Sequence, residues 1–220
     1  MKTLALLHTT AVTVPFLTGL AREILPGIRL INLLDDSLLP EVMAAGGVTG
    51  PVETRLRAYL AQAAVAGADG VLCCCSSVGE AFARTADSAP LPGWRIDEPM
   101  AQEAAGHGGR IGVLATVAST LAPTAELIAR HAAAFGRPAQ IEPCLVAGAY
   151  EALRDGRPAE HDRLVLEALG DLRGRCTVAV LAQASMARLA PSIPPGGTPV
   201  LTSPSSGLRA AGRALGVATA

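Results

Sequence analysis

The sequence predicts an α/β protein built from two similar lobes that are related by an approximate twofold axis, each with a parallel sheet flanked by helices. Apolar segments typical of buried strands alternate with helical patterns, and the order of these segments repeats once along the chain. Matching landmarks lie at a near-constant spacing, as for Pro15 and Pro123, which are 108 residues apart. We expect the first lobe to comprise residues 1–97 and 205–220 and the second to comprise 98–204.

Each half opens with an apolar strand, a turn rich in threonine and serine, and a helix. The two strand–turn segments are LALLHTTAVTVP (4–15) and IGVLATVASTLAP (111–123). Proline favours the first turn of a helix and glycine the position after its end. The helices are therefore predicted to run from Pro15 to Gly27 and from Pro123 to Gly136.

The later elements of each half repeat in the same order. Short extended runs at 28–34 and 139–146 predict the second strands. Apolar residues at helical spacing predict a following helix in each half, namely Leu56, Leu60 and Ala64 in the first and Leu164, Ala168 and Leu172 in the second. Continuous apolar runs within 69–79 and 177–187 predict the third strands, and 95–99 and 200–204 the fourth.

Composition excludes several classes of function. Half of the 220 residues are hydrophobic, the net charge is −1 and only 3% of residues are aromatic, so the chain lacks the basic and stacking surfaces that bind nucleic acid. No apolar run reaches the ~20 residues of a membrane span. Polar residues interrupt the apolar N-terminal stretch, so we expect a strand there and not a signal peptide. Five cysteines, three of them consecutive, suit neither a disulfide framework nor a zinc site, so a reducing, cytoplasmic location is expected.

Ligands of parallel α/β sheets bind at the carboxyl ends of the strands, which here predicts a site in the cleft between the lobes. Four strand ends carry small hydroxyl or amide side chains, at 8–10, 75–77, 116–120 and 183–185. Each precedes a predicted helix, whose free N–H groups suit a carboxylate. The glycine fingerprints of nucleotide sites are absent, so no nucleotide cofactor is expected.

Cys75 is the predicted reactive residue. It ends a strand and precedes a helix, whose N-terminus is expected to favour the thiolate. Cys73 and Cys74 are predicted to be buried strand residues, and Cys144 and Cys176 to be structural. The matching position in the second half is predicted to be Ala184, 109 residues later, so the second thiol of a two-thiol proton-transfer site is missing.

With this layout the chain resembles the aspartate/glutamate racemase superfamily, which includes hydantoin racemases, maleate isomerases and arylmalonate decarboxylases. The resemblance spans nearly the whole chain and rests on the duplicated layout and on three strand ends. Cys75-Ser76-Ser77 stands in place of the family's Cys-Asn-Thr, and ATVAST (115–120) in place of its threonine-rich turn. LAQASMA (181–187) lies where the family has Gly-Cys-Thr-His, which is a departure at the second cysteine.

The resemblance implies an enzyme that needs no cofactor or metal and forms a homodimer. It also implies that Cys75 transfers a proton at the carbon next to the carboxylate of a small carboxylic or amino acid. The predicted substrate-binding residues are His8, Thr10, Ser76, Ser77, Thr116, Ser119, Gln183 and Ser185. Two alternatives stay open because Ala184 has no proton to give: a single-cysteine decarboxylase or lyase, and a carboxylate-binding protein that has lost its activity.

Several titratable residues have a structural alternative. His8 is either a substrate contact or a satisfied core imidazole. Asp97 and Glu98 are predicted to cap the helix that begins near Pro99, and the alternative is that they approach the cleft. The remaining histidines, His107, His131 and His161, are predicted to lie at the surface.

Overall fold

The computed structural model describes all 220 residues and divides them into two compact units. The first comprises Met1–Pro99 together with Pro204–Ala220, and the second comprises Met100–Ser203. Each unit contains one four-stranded parallel sheet with helices packed against it, as the sequence predicts. The predicted fold class is therefore confirmed for each half of the chain.

The first unit has strand order β2-β1-β3-β4. Its strands are β1 (Thr3–His8), β2 (Arg29–Leu34), β3 (Gly70–Cys73) and β4 (Gly93–Arg95). Its helices are α1 (Thr13–Ile24), α2 (Leu38–Ala45), α3 (Gly50–Val65) and α4 (Gly79–Ala86), with a 3-10 turn at Ser76–Val78 before α4. The central strands β1 and β3 are buried along their whole length, whereas the edge strand β2 is partly exposed.

The second unit repeats this arrangement with strand order β6-β5-β7-β8. Its strands are β5 (Gly109–Ala115), β6 (Ala139–Leu145), β7 (Val178–Leu181) and β8 (Val200–Thr202). Its helices are α6 (Ala118–Ala134), α7 (Ala149–Arg154) and α8 (Pro158–Arg173), with a 3-10 segment at Ala184–Ser192. The chain passes from the first unit to the second within helix α5 (Glu98–His107). It returns to the first unit at the start of helix α9 (Ser203–Ala214).

Local sequence explains where the main helices begin and which face they bury. Helix α3 is capped by Thr49, whose hydroxyl accepts the N–H of Val52, and it buries Leu56 and Leu60 one turn apart. Helix α8 begins with Pro158, whose missing N–H is not needed at the first helical position. The periodicity of the sequence therefore predicted both helices correctly. In α8, however, the buried face carries Val165, Leu169 and Leu172, whereas the predicted Leu164 and Ala168 are only partly buried.

The start of α6 differs from the prediction. Pro123 does not open this helix but lies inside it, because the helix already begins at Ala118. Pro15 is likewise the third residue of α1 and not the first. Pro15 removes no helical hydrogen bond, because the first four N–H groups of a helix have no partner within it, whereas Pro123 is the sixth residue of α6 and cannot donate to the carbonyl of Ser119. No helix of the structure is both long and apolar enough to span a membrane.

Candidate functional site

In each unit the strand order reverses between the two central strands, which is where open α/β sheets place their ligands. In the first unit these strands are β1 and β3. Leu7 pairs with Cys73, and the Cys74 N–H donates to the Leu7 carbonyl at 2.9 Å. Two residues beyond the paired Leu7 and Cys73, the chain therefore brings Thr9 and Cys75 to the same level at the carboxyl edge of the sheet.

Cys75 differs from its two neighbours in exposure. Cys73 and Cys74 are 1% and 4% exposed and form part of the core, as predicted for strand residues, whereas Cys75 is partly exposed. Its backbone is extended, with φ −138° and ψ 117°, and the 3-10 turn begins at the next residue. Cys75 is thus the most exposed residue of the triplet, and it lies where the strand gives way to a helical turn.

Four groups surround the sulfur of Cys75. It is hydrogen-bonded by the hydroxyl of Thr9, by the backbone N–H groups of Ser77 and Val78, and by the side chain of Ser77. Hydrogen-bond donors of this kind stabilise a thiolate. The backbone donors come from the helical turn that follows the strand, which is the geometry that the sequence predicted.

The net effect on the thiol nevertheless differs from the prediction. Burial raises the pKa of Cys75 above its ordinary value, and the hydrogen bonds from Thr9, Ser77 and Val78 offset this only in part. The N–H groups at the start of the helical turn favour the thiolate, as predicted, but desolvation outweighs them in the unliganded protein. At neutral pH the protonated thiol is the prevailing form.

The neighbouring hydroxyls are placed as follows. Ser76 and Ser77 form the 3-10 turn, are buried, and have interaction partners. Thr10 is partly buried, and its carbonyl accepts the hydroxyl of Thr13 at 3.0 Å. These residues line the same sheet edge as Cys75. Their contacts with a substrate stay predictions.

His8 is placed as a core imidazole. It is fully buried, with Nδ1 at 2.9 Å from the Thr13 hydroxyl and Nε2 at 3.0 Å from the Asn32 side-chain oxygen. Burial lowers its pKa, although the hydrogen bond with Asn32 opposes this. The structure therefore does not support the predicted substrate contact of His8, because both ring nitrogens already have partners inside the first unit.

The second unit forms a corresponding strand end from β5 and β7. Leu114 pairs with Leu181, and the Ala182 N–H donates to the Leu114 carbonyl at 2.9 Å. Thr116 then donates both its backbone N–H, at 2.6 Å, and its hydroxyl, at 3.0 Å, to Oε1 of Gln183. Because the oxygen is held by Thr116, the orientation of the Gln183 amide is fixed and its NH₂ group remains a hydrogen-bond donor.

This register corrects the predicted match between the halves. The backbone bond from Ala182 to Leu114 corresponds to the bond from Cys74 to Leu7, so the counterpart of Cys75 is Gln183 and not Ala184. Both residues have extended backbones and immediately precede a 3-10 segment. The 108-residue spacing of Pro15 and Pro123, applied to Cys75, also gives Gln183, so the predicted match to Ala184 lies one residue too late. The conclusion that a second thiol is missing is unchanged.

The other predicted residues of the second unit lie near this strand end. Ser119 is the second residue of α6, is partly exposed, and has an interaction partner. Ser185 is partly exposed within the 3-10 segment, and by register it corresponds to Ser77. Their predicted contacts with substrate stay predictions.

A buried ion pair at the end of β4 was not predicted. Arg95 contacts both carboxylate oxygens of Asp97 at 2.9 Å and Glu80 at 3.1 Å, and the Arg95 and Asp97 side chains are 3% and 1% exposed. The prediction that Asp97 caps α5 is therefore incomplete, because both its oxygens bind Arg95. The only sequence signal was the Arg-x-Asp spacing, which places both side chains on one side of an extended segment.

Gly79 makes room for this ion pair. A side chain at this position would begin 2.8 Å from Nε of Arg95, closer than real contacts allow.

One further prediction is wrong: His161 is not at the surface but buried, beside Asp162 and Arg188. The structure contains no group of three or more histidine, cysteine, aspartate or glutamate side chains that could hold a metal ion.

Comparison with solved structures shows which proteins share this fold. The aspartate racemase of Picrophilus torridus superposes with a TM-score of 0.74 at 12% identity, over 100% of this chain and 96% of that chain. The glutamate racemase of Thermus thermophilus in complex with β-chloro-D-alanine gives 0.71 at 16% identity, over 98% and 80%. The allantoin racemase of Klebsiella pneumoniae gives 0.66 at 16% identity, over 100% and 91%.

The fold is thus the one found in racemases of amino acids and of allantoin. A sequence model of the Asp/Glu/Hydantoin racemase family matches residues 8–211, which is most of the chain. The chain therefore belongs to the Asp/Glu/hydantoin racemase family, and the resemblance stated above is confirmed. No curated protein matches the sequence.

Proposed function

We propose that the protein is a cofactor-independent enzyme in which Cys75 transfers a proton at the carbon next to the carboxylate of a small acid. The observation that supports this most directly is the position of the Cys75 sulfur. Cys75 is the most exposed residue of the triplet, it lies where the strand order reverses, and donors from Thr9, Ser77 and Val78 surround its sulfur. Binding alone does not require a thiol in this position.

The proton balance of the step is simple. As a thiolate, Cys75 takes the proton from the α-carbon, giving a thiol and an enediolate, and the thiol can return a proton to the same carbon. The N–H groups of Ser77 and Val78 stabilise the sulfur while it is charged. The raised pKa of Cys75 makes the thiol form the resting state, which suits a proton donor.

The proposed substrate is a small molecule with a carboxylate or a comparable acidic group. The similar structures are named racemases of aspartate, glutamate and allantoin, which supports this class. We propose that hydroxyl and amide groups bind the acid group, as the sequence predicts for Thr10, Ser76, Ser77, Thr116, Ser119, Gln183 and Ser185. The homodimer and the cytoplasmic location implied by the resemblance stay predictions.

One observation favours a second candidate, a single-cysteine decarboxylase or lyase. The counterpart of Cys75 in the second unit is Gln183, and the residue after it is Ala184. Neither an amide nor a methyl group transfers protons near neutral pH. In a decarboxylation the substrate loses CO₂, the resulting carbanion takes the proton of the Cys75 thiol, and solvent restores that proton.

Isotope labelling in D₂O tests the proposal and separates the two candidates. Small carboxylic and amino acids, including both enantiomers of aspartate and glutamate together with allantoin, are incubated with the protein and analysed by NMR. A racemase exchanges the α-hydrogen of both enantiomers for deuterium. A one-thiol decarboxylase releases CO₂ and gives a single labelled enantiomer. Tight binding of an acid without any turnover would identify instead a binding protein that has lost its activity.

A further inference from the structure

Thr9 is held rigidly at the end of β1. It is 3% exposed, and the residue before it, His8, is fixed through both ring nitrogens by Thr13 and Asn32. The carbonyl of His8 also accepts the N–H of Asp35 at 3.0 Å. The backbone that carries Thr9 is therefore held by the neighbouring strand and by α1, and its hydroxyl has a defined direction.

The hydroxyl of Thr9 points to the sulfur of Cys75. The pairing of Leu7 with Cys73 brings the two residues level, and the Thr9 side chain makes a hydrogen bond to the thiol. The other donors to this sulfur, from Ser77 and Val78, belong to the same segment of chain as Cys75. Thr9 supplies its contact from the end of the adjacent strand.

The second unit repeats the contact with different chemistry. Thr116 occupies the same register position as Thr9, and its hydroxyl donates to Oε1 of Gln183, the counterpart of Cys75. In both units the threonine that directly follows the first central strand thus holds the second residue beyond the other central strand. The shared feature is the threonine, whereas the side chain that it holds is a thiol in one unit and an amide in the other.

We infer that Thr9 is the positioning residue of Cys75: its hydroxyl donates a hydrogen bond that fixes the sulfur and stabilises the thiolate. This inference rests on the proposed function of Cys75. Thr9 does not need to touch the substrate, because it acts through the sulfur. Loss of the hydroxyl is expected to leave substrate binding intact while making Cys75 harder to ionise.

The test measures the ionisation of Cys75 without any knowledge of its substrate. Iodoacetamide alkylates thiolates, and mass spectrometry of the Cys75 peptide gives the alkylation rate between pH 6 and pH 10. Thr9→Val, which keeps the shape of the side chain, is expected to shift the profile of Cys75 upward by on the order of one pH unit, or roughly tenfold in rate at fixed pH. Thr9→Ser is expected to keep the wild-type profile.

Thr85→Val is the matched control, because it removes a buried threonine hydroxyl of the same unit that donates to the Phe82 carbonyl, and it is expected to leave the profile of Cys75 unchanged. If Thr9→Val does not fold, as judged by circular dichroism, Thr9→Ala removes the same hydroxyl without adding a second methyl group. A folded variant without the hydroxyl whose profile superposes on the wild type would overturn the inference. A shifted profile supports it.

Failure of the proposed function would look different. In that case Cys75→Ala would leave turnover of a carboxylic acid unchanged, whatever happens to the alkylation profile of the Thr9 variants. Where turnover is found, Thr9→Val is expected to lower kcat and leave KM close to the wild-type value. A change confined to KM would instead make Thr9 a binding residue and contradict the positioning role.

Discussion

Thr116 donates two hydrogen bonds to a single oxygen of Gln183, one from its backbone and one from its hydroxyl. This relationship links the ends of the two central strands of the second unit. Because the amide oxygen is engaged, the NH₂ group is the part of the Gln183 side chain that can donate a hydrogen bond to another group. The contact is therefore both a structural link and the source of the donor that we assign to substrate binding.

The coupling between these two side chains can be measured directly. Thr116→Val, Gln183→Ala and the double variant form a cycle, with the free energy of unfolding obtained from urea titrations. Because the backbone N–H of Thr116 remains in every variant, the cycle reports the hydroxyl bond alone, expected at about 1 kcal/mol. Strictly additive effects would contradict this contact.

The ion pair of Arg95 with Asp97 is expected to be important for stability. Asp97→Ala leaves the buried guanidinium with Glu80 alone and is expected to cost about 3 kcal/mol of unfolding free energy. The matched control is Glu167→Ala, which breaks the exposed pair with Arg163 on α8 and is expected to cost less than about 1 kcal/mol. Equal losses in the two variants would show that burial does not govern the contribution of these pairs.

The burial of His8 predicts that the protein loses stability in mild acid. Because the folded-state pKa of His8 lies below its ordinary value near 6.5, the unfolded chain binds the proton more readily. The stabilising contribution of neutral His8 is therefore complete above pH 6.5 and is lost as the pH falls through the folded-state pKa. Unfolding free energies at pH 7.5 and pH 5.5 measure this loss.

The variant His8→Gln is expected to lose less stability than the wild type over this interval, by about 1 kcal/mol. Comparing the change with pH, and not the absolute stability, separates the proton effect from any packing defect. His107→Gln serves as the control because His107 is exposed at the end of α5. A pH dependence of His8→Gln identical to that of the wild type would show that His8 is not the group responsible.

Much of the fold was readable from the sequence because its signals are local. Continuous apolar runs marked β1, β3, β5 and β7, and the spacing of Leu56 and Leu60 marked the buried face of α3. The local structure around Cys75 was also readable, since this residue follows an apolar run and precedes a helical turn. These patterns depend on residues within a few positions of one another.

What depended on pairing between distant segments was not readable. The match of Gln183 with Cys75 is fixed by strand register, whereas spacings along the sequence leave two neighbouring candidates, since 108 residues lead to Gln183 and the predicted 109 led to Ala184. The partners of His8 and the bond between Arg95 and Asp97 depend on how side chains pack once the sheet has formed. The raised pKa of Cys75 likewise follows from burial, which the sequence pattern of a helix start does not report.

The central claim is that Cys75 carries the proton to or from the α-carbon, and deuterium incorporation tests it most directly. An acid that the wild type labels in D₂O is incubated with Cys75→Ser and with Cys144→Ser, a control in which a partly buried cysteine of β6 is changed. The account predicts that labelling falls by at least about a hundredfold in Cys75→Ser and stays near the wild-type rate in Cys144→Ser. Labelling by Cys75→Ser at the wild-type rate would contradict it.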